Sequence, residues 1–295
     1  PQFSLTTGDL KVIGQAQFDG KGGALRRIDF ERISFGRTDI KGALIAREEG
    51  GWDAGFHGPS FDLSPLWEDI VHGSNDPSGD DAIRLPYLTL AVELERVWVG
   101  PNQSLKNVSG TFAYKDEVWT MVLVNGEIGD NKPFELAIHP IPEGNRKIVI
   151  TSVDAGETLR ILGYYENMNG GKLEITGQYN DTAPGRPLIG QVKIKNYRIT
   201  NAPILTRVLS ILALTGIIEA LQGDGLAFNS LEIPFVLGQG LLKIKDANAT
   251  GVSLGFTASG TIYTYADVID VSGTAVPAYT INSVLGHIPL LGEIF

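Results

Sequence analysis

The chain has 295 residues, 43% hydrophobic and 20% charged, enough to bury the core of one large or two ordinary domains. A net charge of −10 argues against nucleic acid as a partner, since phosphate binding needs a positive field, and no polybasic patch offers an electrostatic hold on an anionic membrane. The absence of cysteine excludes disulfides, thiol nucleophiles and cysteine metal sites, while thirty-six glycines and fifteen prolines favour many turns and short strands over a helical bundle.

The chain opens on Pro1-Gln2-Phe3 with no Met, basic segment or apolar leader, and reads as a fragment or processed product. Strict alternation then recurs. Ile28 and Phe30 oppose Arg27, Asp29 and Glu31; Leu88, Leu90, Val92 and Leu94 oppose Tyr87, Thr89, Ala91, Glu93 and Glu95. Val192 and Ile194 oppose Gln191, Lys193 and Lys195, and Leu242 and Ile244 oppose Lys243 and Lys245. These are antiparallel strands with one wet face. Turn signals stand at Asp19-Gly20, Glu49-Gly50-Gly51, Asn125-Gly126 and Asn169-Gly170-Gly171, predicting hairpin after hairpin. Residues 73–81 combine turn formers with like charge and read as a long loop. It separates two similar frames, Glu31-Arg32-Ile33-Ser34-Phe35-Gly36 and Glu95-Arg96-Val97-Trp98-Val99-Gly100.

Three strand ends pass into apolar stretches through a capping residue: Asp62-Leu63-Ser64-Pro65, Asp154-Ala155-Gly156-Glu157 and Thr200-Asn201-Ala202-Pro203. They predict helices over Pro65 to Val71, Glu157 to Tyr165 and Pro203 to Gln222. The third is apolar nearly all round, but Arg207 and Glu219 leave eleven residues between charges, short of the roughly 20 a membrane span needs. Burial against a sheet, insertion into a bilayer surface and capping of a lipid groove all remain open for it.

Catalytic patterns are weak. Gly251-Val252-Ser253-Leu254-Gly255 matches a nucleophile elbow, with Asp267, Asp270 and His287 following in hydrolase order, yet Val252, Leu254 and Phe256 alternate as a strand with no helix after it. A serine hydrolase at Ser253 is therefore a remote alternative. His57, His72, His139 and His287 are too scattered for a metal site, and Gly170-Gly171-Lys172 lacks the residues of a phosphate loop. Asp80-Asp81 and Glu48-Glu49 sit in turns as solvated charge. The chain reads as a non-enzyme with no cofactor and no metal.

In the last third, Asp154-Ala155-Gly156, Gly163, Gly170-Gly171, the apolar helix, Gly225-Leu226-Ala227-Phe228, residues 271–279 and the ending over residues 281–292 resemble the C-terminal region of the AsmA-like family of large bacterial envelope proteins. The resemblance covers residues 150 to 295 by motif and residues 1 to 150 by strand character alone. It implies a β-repeat segment over 1–150 and an AsmA-like C-terminal segment over 151–295, forming a curved, U-shaped open sheet with an apolar inner groove and a few helices. It also implies a periplasmic location, behind an inner-membrane anchor outside this chain. The implied function is to carry phospholipid between inner and outer membrane and to sustain outer-membrane integrity, with the outer membrane or an envelope protein at the C-terminal end. A structural or protein-interaction module of the envelope is the alternative.

Strand parity gives the groove candidates Leu231, Ile233, Phe235, Leu237, Leu242, Ile244, Val252, Leu254 and Phe256, which would meet acyl chains or pack as core. Leu205, Leu209, Leu212 and Ile217 of the apolar helix, with Leu285, Ile288 and Leu291 of a terminal strap over residues 281–295, are the candidates for membrane contact or groove capping.

Overall fold

The computed structural model describes residues 1–20, 23–67, 86–211, 215–264, 266 and 268–277. It divides into two compact units, Pro1–Ile150 and Thr151–Phe295, both mostly β. In the first unit β1 (Gln2–Thr7), β2 (Leu10–Phe18), β3 (Leu25–Phe35), β4 (Thr38–Ala46) and β5 (Trp52–Asp62) pair antiparallel in chain order. So do β6 (Leu88–Trp98), β7 (Ser104–Lys115), β8 (Val118–Ile128) and β9 (Lys132–Pro140). One junction departs from the expected hairpins: β5 and β6 run parallel, Trp52 beside Leu88 and Asp62 beside Trp98. Parallel neighbours need a crossover rather than a tight turn, and residues 63–87 supply the length. That crossover starts as a helical turn at residues 64–67; the rest of the helix predicted to Val71 and the loop at 73–81 lie outside the described residues.

Alternation sorts the first unit into two faces. One cross-strand row runs Phe3, Gly14, Phe30, Gly42, Phe56, Val92, Gly110, Val124, Leu136 without a polar residue. Large residues and glycine share this row because the rings lie over neighbouring backbone: Phe3 and Phe30 meet edge-on at 6.3 Å, Phe30 and Phe56 at 6.0 Å, each pair spanning a glycine. A methyl on Gly42 would strike the Gly55 carbonyl and stand 2.7 Å from the Phe56 ring.

β10 (Arg146–Ser152) leads into the second unit, which continues with α1 (Ala155–Ile161), β11 (Met168–Tyr179), β12 (Leu188–Ile199), α2 (Pro203–Ile211), α3 (Thr215–Gln222), β13 (Leu226–Gly238), β14 (Leu241–Gly251), β15 (Leu254–Tyr263) and β16 (Val268–Pro277). β11 to β16 pair antiparallel in chain order. α1 begins at Ala155 and ends at Ile161, shorter than the expected Glu157 to Tyr165, because Asp154 caps it through the Glu157 N–H at 2.9 Å and the chain turns at Gly163 with φ +77°. The helix expected over Pro203 to Gln222 is described as α2 and α3; its continuity rests on residues 212–214, outside the described residues. No described helix is long and apolar enough to cross a membrane.

Two predicted turns are strand interior instead. Asn125 and Gly126 lie in β8 opposite Glu135 and Phe134, the turn following around Gly129 and Asn131 at positive φ. Asn169-Gly170-Gly171 lies in β11 rather than at a hairpin tip, yet Gly170 and Gly171 do take positive φ, +65° and +91°, and a methyl on Gly171 would also stand 2.9 Å from the Tyr197 Cβ.

These packings make two glycines of one sheet unequal. Gly42→Ala is expected to lower stability by about 1–3 kcal/mol through overpacking. Gly55→Ala, one strand over on the polar face with nothing within 4 Å of its added methyl, is expected to change it little. Urea unfolding of the two variants beside the parent checks both.

Candidate functional site: an apolar sheet face closed at one end by helices

The second unit repeats the two-faced arrangement with a more continuous apolar side. One row joins Leu173, Ile194, Leu231, Ala249, Phe256 and Ala275, and the far row joins Tyr179, Leu188, Leu237, Leu242, Ile262 and Ile269. Between them lies a row through Phe235, Ile244 and Val271, with glycine at 177, 190 and 260. The opposite face is polar, as in the row Glu174, Lys193, Glu232, Asn248, Thr257, Thr274. Eight of the sequence candidates therefore share one face: Leu231, Ile233, Phe235, Leu237, Leu242, Ile244, Leu254 and Phe256.

Val252 does not join them. β14 ends at Gly251 and β15 starts at Leu254, so Val252 and Ser253 form the connecting bend, and the Val252 side chain is 69% exposed. The alternation of Val252, Leu254 and Phe256 crosses a chain reversal, which resets which face a residue takes. Ser253 is exposed in that same bend. It sits between two strands rather than at the strand-to-helix turn a nucleophile elbow needs.

Cover over the apolar face changes along the strands. Leu254 and Leu173 are 1% exposed, and Ile194, Tyr197 and Phe228 are buried with them, under Leu209, Ile217 and Leu221 of α2 and α3. Leu205 packs part-buried at the edge of the cluster; Leu212, Leu285, Ile288 and Leu291 lie outside the described residues. Tyr197 stacks on Phe228 at 5.2 Å, and burial pushes its phenol pKa well up, aided by the negative charge Tyr165 can carry, as in a dry site. Away from the helices the cover lifts: Leu237 is 39% and Ile269 68% exposed. The groove candidates read from sequence left out Ile175, Leu188, Val192 and Ile262 on this face; Ile175 and Val192 alternate with polar neighbours, whereas Leu188 stands between Pro187 and Ile189 and carries no such signal.

No family model, curated protein or solved structure matches this chain. The apolar face must therefore be judged on its own chemistry, beside the polar clusters that could compete with it.

A depression of about 490 Å³ lies on the polar face of the first unit, floored by Ala43, Gly55 and Ala91 and rimmed by Arg27, Asp29 and Glu93. Arg27 and Asp29 neutralise each other at 2.6–2.8 Å, the hydrogen bond holding the Asp29 carboxyl below its usual range. Among the described residues no three His, Asp or Glu side chains gather as a metal site.

A dense polar cluster lies at the parallel junction. Arg37 spends all five N–H groups: two on Asp62 at 2.8 and 3.0 Å, one on the Ser64 hydroxyl, and two on the carbonyls of Gly100 and Pro101. Its guanidinium also lies 4.5 Å over the Trp98 ring. No donor is left for a ligand, so the cluster fastens β5, the helical turn and β6 together.

Burial opposes the charge on Asp62, yet bonds from Arg37 and from the Ser64 hydroxyl and N–H outweigh it and hold the carboxyl below the usual range. A depressed carboxylate adds stability above its unfolded pKa of about 4, and that share disappears as pH falls through the folded value. Arg37→Met is accordingly expected to be less stable than the parent at neutral pH, with the gap narrowing below about pH 4. Thermal unfolding of both proteins across pH 3–7 reads this directly.

Proposed function

We propose that the chain is a lipid-binding segment whose apolar sheet face receives the acyl chains of phospholipid. The observation that carries the proposal is the far end of that face, where Leu237 and Ile269 are exposed and Leu242 and Ile262 half-buried, beside a buried Leu188, on a row that contains no polar side chain other than the phenol of Tyr179. Acyl tails complete a one-faced sheet as a second protein layer would, and the −10 net charge leaves apolar burial rather than headgroup attraction as the source of affinity. In this reading the sheet curls into a trough that forms one length of a periplasmic bridge between inner and outer membrane, as the resemblance to the AsmA-like family would imply.

A second reading, a module that docks an envelope protein by strand addition, is favoured by β16. Among the described residues it is the edge strand, exposed from Val268 to Thr274, and it carries Asp270 as its sole charge.

Native mass spectrometry of the purified chain, followed by lipid extraction, separates the two. Bound phospholipid is expected on the parent and absent from Leu237→Glu/Leu242→Glu, a pair at the part-exposed end whose replacement costs less than about 2 kcal/mol per site. A lipid-free parent that forms a stoichiometric complex with an envelope protein would favour the second reading.

A further inference from the structure

The helices α2 and α3 occupy the same surface that the lipid-binding reading assigns to acyl chains, and their attachment to it is one-sided. Residues 200–225 leave the sheet after Ile199 and return at Leu226, and those two residues pair directly. The β12–β13 ladder is therefore closed without the helices. Polar ties hold only the base of the excursion: the Arg198 guanidinium donates to the carbonyls of Asp224 and Gly225 at 3.0 Å, and the Asn169 amide donates to the Thr200 hydroxyl at 3.1 Å. Within the excursion the Asn201 N–H donates to the Leu221 carbonyl at 3.2 Å, and the Gly225 N–H to that of Ala220 at 2.8 Å. Among the described residues no hydrogen bond or ion pair links residues 203–220 to a strand; Thr206 and Ser210 spend their hydroxyls on carbonyls one turn back, at Ala202 and Thr206. What presses the pair onto the sheet is apolar contact from Leu209, Ile217 and Leu221.

We propose that α2–α3 is a displaceable cap that fills the acyl site when lipid is absent and lifts on its polar base when an acyl chain arrives. The proposal rests on the lipid-binding reading. Its logic is competition between like and like: a methylene chain replaces the contacts of Leu209 and Leu221 with contacts of the same character, and among the described residues no hydrogen bond from the helices to a strand has to break. Arg207, Ser210, Glu219 and Gln222 face solvent, so the lifted pair keeps a wettable side and an apolar side for the lipid it admits. The base lies at Gly225, whose φ of +81° places it where a side chain would be strained.

The absence of cysteine makes the test clean. Single thiols are placed by Ile217→Cys under the cap, Glu219→Cys on its solvent side and Leu94→Cys in the core of the first unit. Maleimide labelling is then timed with and without monomeric lysophosphatidylcholine, and binding is measured separately by native mass spectrometry. The Ile217→Cys thiol is expected to react about tenfold faster with lysolipid bound, the Glu219→Cys rate to stay level and the Leu94→Cys thiol to stay protected. Ile218→Cys, half-buried on the same helix, repeats the measurement if the first variant is poorly folded. Lysolipid that binds while both cap thiols keep their rates overturns the cap and leaves the lipid-binding reading standing. Acceleration that extends to Leu94→Cys overturns it as general unfolding, and no binding at all overturns both.

Discussion

A β-sheet with one apolar face must cover that face, because every half-exposed Leu or Phe on it forfeits part of the free energy that folding requires. Everything distinctive in this chain follows from how that cover is provided. In the first unit part of it comes from within the row: rings from alternate strands lie across glycines, so Phe3, Phe30 and Phe56 shield the backbone between them while staying half-buried themselves. In the second unit the cover is imported as α2 and α3, and it reaches the rows nearest Phe228 and Leu254 but not those at Leu237 and Ile269. The polar face has no such problem, since cross-strand neighbours such as Glu174, Lys193 and Glu232 alternate in sign.

The same constraint explains where polar chemistry is concentrated. Antiparallel neighbours joined by tight turns hold their register through the turn, but β5 and β6 are parallel and the turn gives them nothing. Arg37 takes over that task, reaching the end of β5 and the chain just after β6 with a single planar fork. A cluster of this density suggests a catalytic site until its donors are counted. Every one is already committed within the fold.

Strand parity was legible in the sequence because a period of two ties each residue to a face, and Leu231 through Phe235 needed only their own neighbours to be placed. The bend at Val252 was not, since a two-residue reversal between Gly251 and Leu254 carries no Asn-Gly signal and preserves the apparent alternation across it. Glycine was ambiguous for a different reason. It serves positive φ, close approach or both, and a hairpin tip is not the one place that needs either: Gly126 lies inside β8 opposite Phe134, and Gly171 takes a φ of +91° within β11 while Tyr197 crowds it. The parallel pairing of β5 with β6 is a choice of partner made across residues 63–87, and no local pattern records it.

The division of the apolar face was beyond the sequence altogether. Apolar residues nearly all round positions 203–222 signal burial, but they do not say how far along the strands the helices lie, and that extent settles which of Leu254 and Leu237 is core and which meets solvent. The direct pairing of Ile199 with Leu226 adds the decisive term. Helices that the sheet needed for its connectivity would be fixed in place, whereas these are added to a ladder already complete; Arg198 and Asn169 tie their base, and beyond it, among the described residues, what holds them to the face is apolar contact. On the proposed lipid-binding reading, an acyl chain offering comparable contact competes with them on equal chemical footing, and the part-exposed row from Leu237 to Ile269 gives it a place to begin.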